Sequence, residues 1–340
     1  MFKAPATFTA RLCILRPSLR RTQCASMMVQ NASTKANLSH EERTATEPRG
    51  DGLHVVRVDR VTAVNDNIRT FKLAIEDTRN GIDFLPGQWL DVHVPSIKKA
   101  GGFTVTSSPR EAIPATSTEK PFLELAIQKS PDNPPAAWFW QPAETITGAR
   151  LNVRIGGSFV WPPPGLVKES IKRVVFIAGG VGINPLMSMI SYIGQQRDSL
   201  EQVRLLYATK LPSTNPERTE ILFLPRILDF FCEPRTSSQD LKGHLELFVT
   251  GAHNKTSRSD KDVSGLLNLP PPEPEADATV KVYQGRIDES ALSRAVGDPE
   301  TQSSSVFYVC GPPHMTDSIV QHLRNKENVA SEQVLCEKWW

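Results

Sequence analysis

A two-domain protein is what this sequence predicts: an N-terminal antiparallel six-stranded β-barrel followed by an α/β doubly wound parallel sheet. Three observations carry this. Between Leu53 and Val160, six short runs alternate apolar and polar residues and are separated by clusters of Pro, Gly, Asn and Asp. After Lys168 the rhythm changes to strand and helix in alternation, and the 340 residues suffice for two ordinary cores.

The barrel runs are LHVVRVDRV, IRTFKLAI, QWLDVHV, GFTVTSS, PFLELAIQ and ARLNVRI, each with the two-residue period of a half-buried strand. A brief helix is expected around Ala136 to Gln141. The second half reads RVVFIA then PLMSMISYIGQQ, VRLLYAT then ERTEILFLPRILDFF, HLELFVT, DESALSRAV, VFYVC then HMTDSIVQHLRN, and finally VLCEKWW. Residues 174–194 carry no charge and are about as long as a membrane span. Gly179, Gly180, Gly182, Asn184 and Pro185 at their centre favour a buried strand, a glycine turn and a helix starting near Pro185, so no transmembrane segment is expected. The expected boundaries are a leader at 1–48, the barrel at 49–168, and the α/β domain at 169–340 with an irregular loop insertion at 251–279 marked by PPPEP.

Composition narrows the function. Net charge is +2 and much of the basic excess lies in the first forty residues, which argues against nucleic acid as a partner. The five cysteines (Cys13, Cys24, Cys232, Cys310, Cys336) form no CxxC pair, so neither a disulfide framework nor an iron–sulfur cluster is expected. No HxxxH or HExxH spacing suggests a metal site, and no G-x-S-x-G elbow suggests hydrolysis. From Met1 to His40 there is no Asp or Glu, while Lys3, Arg11, Arg16, Arg20, Arg21 and Lys35 are spread among Ser, Thr, Ala and apolar residues. This is the composition of a mitochondrial transit peptide and predicts the matrix as location; a merely disordered basic arm is the alternative.

Two turns carry the chemistry. AGGVGINP (178–185) follows one predicted strand and opens a helix; Gly179, Gly180, Val181 and Gly182 let backbone N–H groups approach a pyrophosphate, and the helix start at Asn184 and Pro185 adds a favourable dipole. CGPPHM (310–315) does the same after a later strand, through Cys310, Gly311, Pro312 and Met315. Two such turns on one sheet point to the same crevice, and a ligand spanning both is dinucleotide-sized. The blander alternative is that each glycine only satisfies a tight turn.

These residues resemble the ferredoxin–NADP reductase superfamily over almost the whole chain after the leader. FLPGQWLDVHVP (84–95) is similar to its early barrel motif, FTVTS (103–107) to its flavin strand and RIGGSF (154–159) to the turn closing its barrel. AGGVGINP and CGPPHM match its two nucleotide turns in order. The terminal EKWW is similar to reductase tails that end in paired aromatics.

The resemblance implies a flavin-dependent NAD(P)H oxidoreductase passing hydride to flavin N5 and electrons to an unidentified acceptor, with FAD as cofactor, FMN the alternative to it, and a monomeric chain. It places Phe103, Thr104, Val105, Thr106, Arg154, Gly156, Gly157, Ser158, Trp339 and Trp340 at the flavin. Catalytic roles fall to Thr104 near N5 and to Cys310 and Glu337 beside the nicotinamide, Glu337 relaying a proton or lying as a surface carboxylate. Trp339 and Trp340 stack on a planar ring or pack in the interface between domains. Thr209 and Lys210, at the end of the second nucleotide strand, are placed at the adenosine ribose, where Lys210 and Arg218 lean towards a 2′-phosphate. One departure stands out: the family's flavin-phosphate arginine is Gly101 here, which removes a bidentate clamp, with Arg154, Lys98 or Lys99 and the backbone of Gly156 and Gly157 as the candidates to replace it. The rival reading is a non-catalytic nucleotide-binding sensor or assembly factor that retains the fold.

Overall fold

Alternating side chains build the first sheet. The computed structural model describes residues 39–114, 120–196, 200–213, 216–232, 241–251, 267 and 278–338. Six antiparallel strands, β1 (His54–Asn65), β2 (Ile68–Ile75), β3 (Trp89–His93), β4 (Gly101–Thr104), β5 (Phe122–Gln128) and β6 (Arg150–Gly156), run in the order β4-β3-β6-β1-β2-β5. A bridge between Val105 and Leu125 joins the two edges and closes the barrel, which removes the unpaired strand edges. Inward residues at every second position, among them Val56, Val58, Phe71, Leu73, Leu90, Val92, Leu123, Leu125, Leu151 and Val153, form one core. All six strands lie where the alternation predicts them, and the predicted short helix is Pro134–Phe139.

In the second sheet every pairing is parallel: β7 (Arg173–Gly179), β8 (Gln202–Lys210), β9 (Lys242–Thr250), β10 (Ala278–Gln284), β11 (Ser305–Gly311) and β12 (Val334–Lys338), in the order β10-β9-β8-β7-β11-β12. The strand order reverses between β7 and β11, the switch point at which open α/β sheets hold ligands. Successive residues of β7 and β11 point to opposite faces. Val174, Phe176, Ala178, Val306, Tyr308 and Cys310 share a core with Ile183–Gln195 and with Phe159 and Trp161. Val175, Ile177, Phe307 and Val309 pack under Glu289–Val296 and Pro313–Arg324.

Two expectations need correction. β10 begins at Ala278, within the segment expected to be an irregular insertion; the rest of 251–279, apart from Gly251, Leu267 and Thr279, lies outside the described residues. Residues 39–48, assigned to the leader, instead pack on the barrel. A capping box between Ser39 and Glu42 opens a turn of helix, α1 (His40–Arg43). The following chain lies against β6, with Gly50 N–H donating to Ile155 O at 2.9 Å and Arg49 bridging Gly156. Residues 1–38 are outside the described set. No helix among the described residues is long and apolar enough to cross a membrane.

Polar ties hold barrel and sheet together. Asn184 Nδ2 donates to Ala126 O at 2.8 Å, Ser188 Oγ to Ser107 O at 2.7 Å and Tyr308 OH to Val160 O at 2.7 Å. Arg226 pairs with Glu124 at 2.6 Å. Ser39–Trp340 accordingly cluster as a single unit.

Candidate functional site: paired glycine turns and a covered barrel face

The turn after β7 is a single 3-10 turn, Gly180–Gly182, leading directly into the helix Ile183–Gln195. That helix start has no side-chain cap, but the N–H of Ile183 is already bonded to Gly180 O and Val181 O and Pro185 has none, so what it offers an anion is chiefly the positive end of its dipole. Gly180 has φ of 56°, the left-handed region that favours glycine, and a Cβ built there meets nothing within 4 Å. Asn184 is buried, and its Oδ1 has no hydrogen-bond partner beside this same helix start. An uncapped helix terminus beside open space fits a nucleotide pyrophosphate, whereas the unpaired Asn184 Oδ1 is an acceptor and fits a donor such as a ribose hydroxyl or a carboxamide N–H.

The second turn abuts the first. A Cβ on Gly182 would stand 2.3 Å from Cys310 O and 2.7 Å from Gly311 N, and one on Gly311 would stand 3.1 Å from Gly179 Cα. Met315 and Pro312 lie against Gly179. Gly180, Val181, Met315 and Thr209 are partly exposed, and Pro312 and Lys210 are exposed, so this ledge is reachable from solvent. Cys310 and Glu337 face each other in register on β11 and β12. Cys310 itself is fully buried and belongs to the barrel-facing core. Arg218, expected near a 2′-phosphate, donates through Nε to Leu267 O at 2.9 Å.

The barrel face expected to hold flavin is arranged differently. Phe103 is buried in the barrel core, edge-on to Phe139 at 5.2 Å. Thr104, Val105 and Thr106 are buried too; Val105 N–H donates to Gln88 O, Thr106 N–H to Glu124 O and Thr106 Oγ1 to Glu124 Oε2 at 2.7 Å. Arg154 spends Nε and Nη2 on Asp91 Oδ2 at 3.0 and 2.8 Å. Gly156 and Gly157 carry the indole of Trp89, which a Cβ at either would meet at 2.5 or 2.6 Å. Gly157 N–H donates to Pro48 O at 3.0 Å, and Ser158 donates from N–H and Oγ to Glu47 Oε2 at 3.1 and 2.6 Å. Lys99 pairs with Glu42 at 3.4 Å. Of the groups expected to replace the missing arginine, Arg154, Lys99 and the Gly157 N–H thus contact the protein's own carboxylates or carbonyls. Trp339 and Trp340 lie outside the described residues.

Asp91 organises this face. It is fully buried, accepting from Arg49 Nε at 2.8 Å as well as from Arg154, with His40 Nε2 at 3.4 Å from its other oxygen. Burial alone would raise its pKa, but the hydrogen bonds from Arg49 and Arg154 outweigh that and hold the carboxyl below its ordinary value. His40 is pushed down to about 4 by burial, against the pull of Asp91, so it is neutral at pH 7. No sequence pattern links Asp91 to Arg154 or Arg49; the Ser39-x-x-Glu42 capping box was the available signal that the leader's end is folded.

The closed antiparallel barrel followed by a parallel α/β sheet is the two-domain fold of ferredoxin–NADP reductases. No family model matches the chain. It is similar to the Bos taurus protein named oxidoreductase NAD-binding domain-containing protein 1, at 29% identity over 342 residues, covering 97% of this chain and 95% of that one. Among solved structures it resembles the ferredoxin reductase in carbazole 1,9a-dioxygenase, with a TM-score of 0.57 and 18% identity, covering 85% of this chain and 70% of that one. A ferredoxin NADP+ reductase from Neisseria gonorrhoeae with bound FAD and NADP superposes with a TM-score of 0.54 at 17% identity, covering 86% of this chain and 100% of that one.

Proposed function

We propose that this protein is an NAD(P)(H)-binding oxidoreductase of the ferredoxin-reductase type, with the nucleotide held across the turns that end β7 and β11. The observation that carries this reading is the contact of Gly182 with the backbone of Cys310 and Gly311, which makes one ledge of two turns at the switch point of the sheet. On that ledge, the uncapped start of the helix Ile183–Gln195 and Gly180 receive the pyrophosphate. Thr209 and Lys210 reach the adenosine ribose, exposed Lys210 favouring a 2′-phosphate. Pro312 and Met315 pack on the nicotinamide side, near the Cys310–Glu337 pair. The nucleotide, when bound, would supply hydride to a separate two-electron acceptor; the chain supplies position.

A flavin as hydride partner, and a separate electron acceptor beyond it, are what the reductase kinship suggests. The barrel groups as folded do not fit a flavin diphosphate, so no step is assigned to one. The covered barrel face favours the second reading, a nucleotide-binding protein that keeps the fold without flavin chemistry. A matrix location, a cleaved leader and a monomeric state complete the proposal.

Calorimetric titration of the full chain with NADH and NADPH tests it. One equivalent should bind to the wild type and none to Gly180→Val, with circular dichroism unchanged. Equal affinity in the variant removes this turn from the site.

A further inference from the structure

We infer that residues 39–49 are a built-in occupant of the barrel's phosphate-binding turn, and that this chain therefore carries no flavin on its barrel. The inference rests on the ferredoxin-reductase reading of the barrel, but not on nucleotide binding by the sheet.

A diphosphate at the turn 154–159 needs a cation and several N–H or O–H donors. Glu47 has taken two of them: its Oε2 accepts from both the backbone and the hydroxyl of Ser158, as a phosphate oxygen would. Pro48 O takes the N–H of Gly157, and Arg49 bridges Gly156. The guanidinium of Arg154 lies on Asp91, with Glu41 at 3.9 Å. Next to Gly101 stands the start of the helix Pro134–Phe139, where a Cβ on Gly101 would meet Pro135 at 2.5 Å. That start has no N–H at Pro134 or Pro135, and the N–H of Ala136 is taken by the side chain of Asn133. Higher on the same face, the imidazole of His40 sits over Gly102 and edge-on to Trp89 at 4.6 Å.

Arg49 ties the segment both to itself and to the barrel. Its Nη1 and Nη2 donate to Thr44 O and Thr44 Oγ1 at 2.6 Å, its Nε donates to Asp91, and its guanidinium lies 5.0 Å from the Trp89 ring centre. Lifting the segment strips Asp91 of Arg49 and His40. Asp91 then keeps only Arg154, so that guanidinium stays spent on the carboxylate and is not released to a phosphate. The segment is thus a replacement for the ligand's anionic end and not a lid over a ready site, which accounts for an arginine position held by glycine.

The test is flavin content and flavin binding of the full-length protein, with NADPH binding measured on the same preparation. The expected result is no visible flavin absorbance, no flavin released by acid, and no stoichiometric binding of FAD or FMN. The variant Glu47→Ala, which alters an exposed contact, should remain flavin-free because Arg154 and the proline helix start still offer nothing. Flavin in the wild type at one equivalent, or flavin binding gained in Glu47→Ala, overturns the inference. Failure to bind NADPH bears instead on the proposed function, so the two outcomes are separate.

Discussion

The turn after β7 and the turn after β6 are both glycine-rich strand ends, yet one faces open space and the other faces an indole. At Gly180 an added Cβ touches nothing within 4 Å; at Gly156 it would meet Trp89 at 2.5 Å. AGGVGINP and RIGGSF look equally ready for phosphate when read along the chain. What separates them comes from elsewhere: Trp89 from β3, Glu47 and Pro48 from the segment before β1. Glycine grants close approach, and the tertiary neighbourhood decides what approaches.

The largest expected effect is on the closed side. Asp91→Asn leaves Arg49 and Arg154 without their buried counter-charge and should cost about 3 kcal/mol, the lower end for a broken buried pair because Arg154 is partly exposed. Denaturant unfolding measures this, and a loss within experimental error would show that the segment does not depend on Asp91.

Next comes acid sensitivity. His40 has its folded pKa depressed to about 4, so the unfolded chain binds the proton more readily, and stability present above pH 6.5 is lost as pH falls towards 4. The full linkage is about 3 kcal/mol at most for a shift of this size. His244, also lowered to about 4 by burial, contributes in the same window. His40→Gln should therefore flatten the dependence by roughly one proton's slope without abolishing it; an unaltered pH profile would place His40 in water.

On the open side, Gly182→Ala forces a Cβ against Cys310 O, a backbone clash that should cost about 1–3 kcal/mol and weaken nucleotide binding by parting the turns. Gly180→Val meets no neighbour, but it sets a β-branched residue at φ of 56°, a backbone strain of about 1–3 kcal/mol, and should lose binding outright where Gly182→Ala only weakens it. Equal nucleotide affinity in the two variants would contradict the difference in their surroundings.

The smallest effect is at Lys210. An exposed ion pair with a 2′-phosphate is worth about 0.2–1 kcal/mol, so Lys210→Ala should weaken NADPH by up to about fivefold and leave NADH unchanged. A matched loss for both nucleotides would move Lys210 away from the ribose.

Much of this architecture was legible because burial imposes a period. The barrel strands alternate, and β7 and β11 are uninterrupted apolar runs buried on both faces. β10 was hidden because it is an edge strand, with Lys281 and Gln284 in a short run just after a proline-rich stretch. The five-residue helix Pro299–Ser303 carries only a start signal, Asp298 before Pro299. The nucleotide turns were readable because backbone and glycine are local. The pairing of Arg154 with Asp91 is not legible in the sequence, because Asp91 lies 63 residues away and meets it only across the β3–β6 ladder.

Hydrogen exchange of the full chain, with and without saturating NADPH and separately with FAD, tests the contrast most directly. The account predicts slowed exchange at 179–185 and 310–315 with NADPH, and no change at 101–107 or 154–159 with FAD. Slowed exchange at 154–159 with FAD, or none at the paired turns with NADPH, would contradict it.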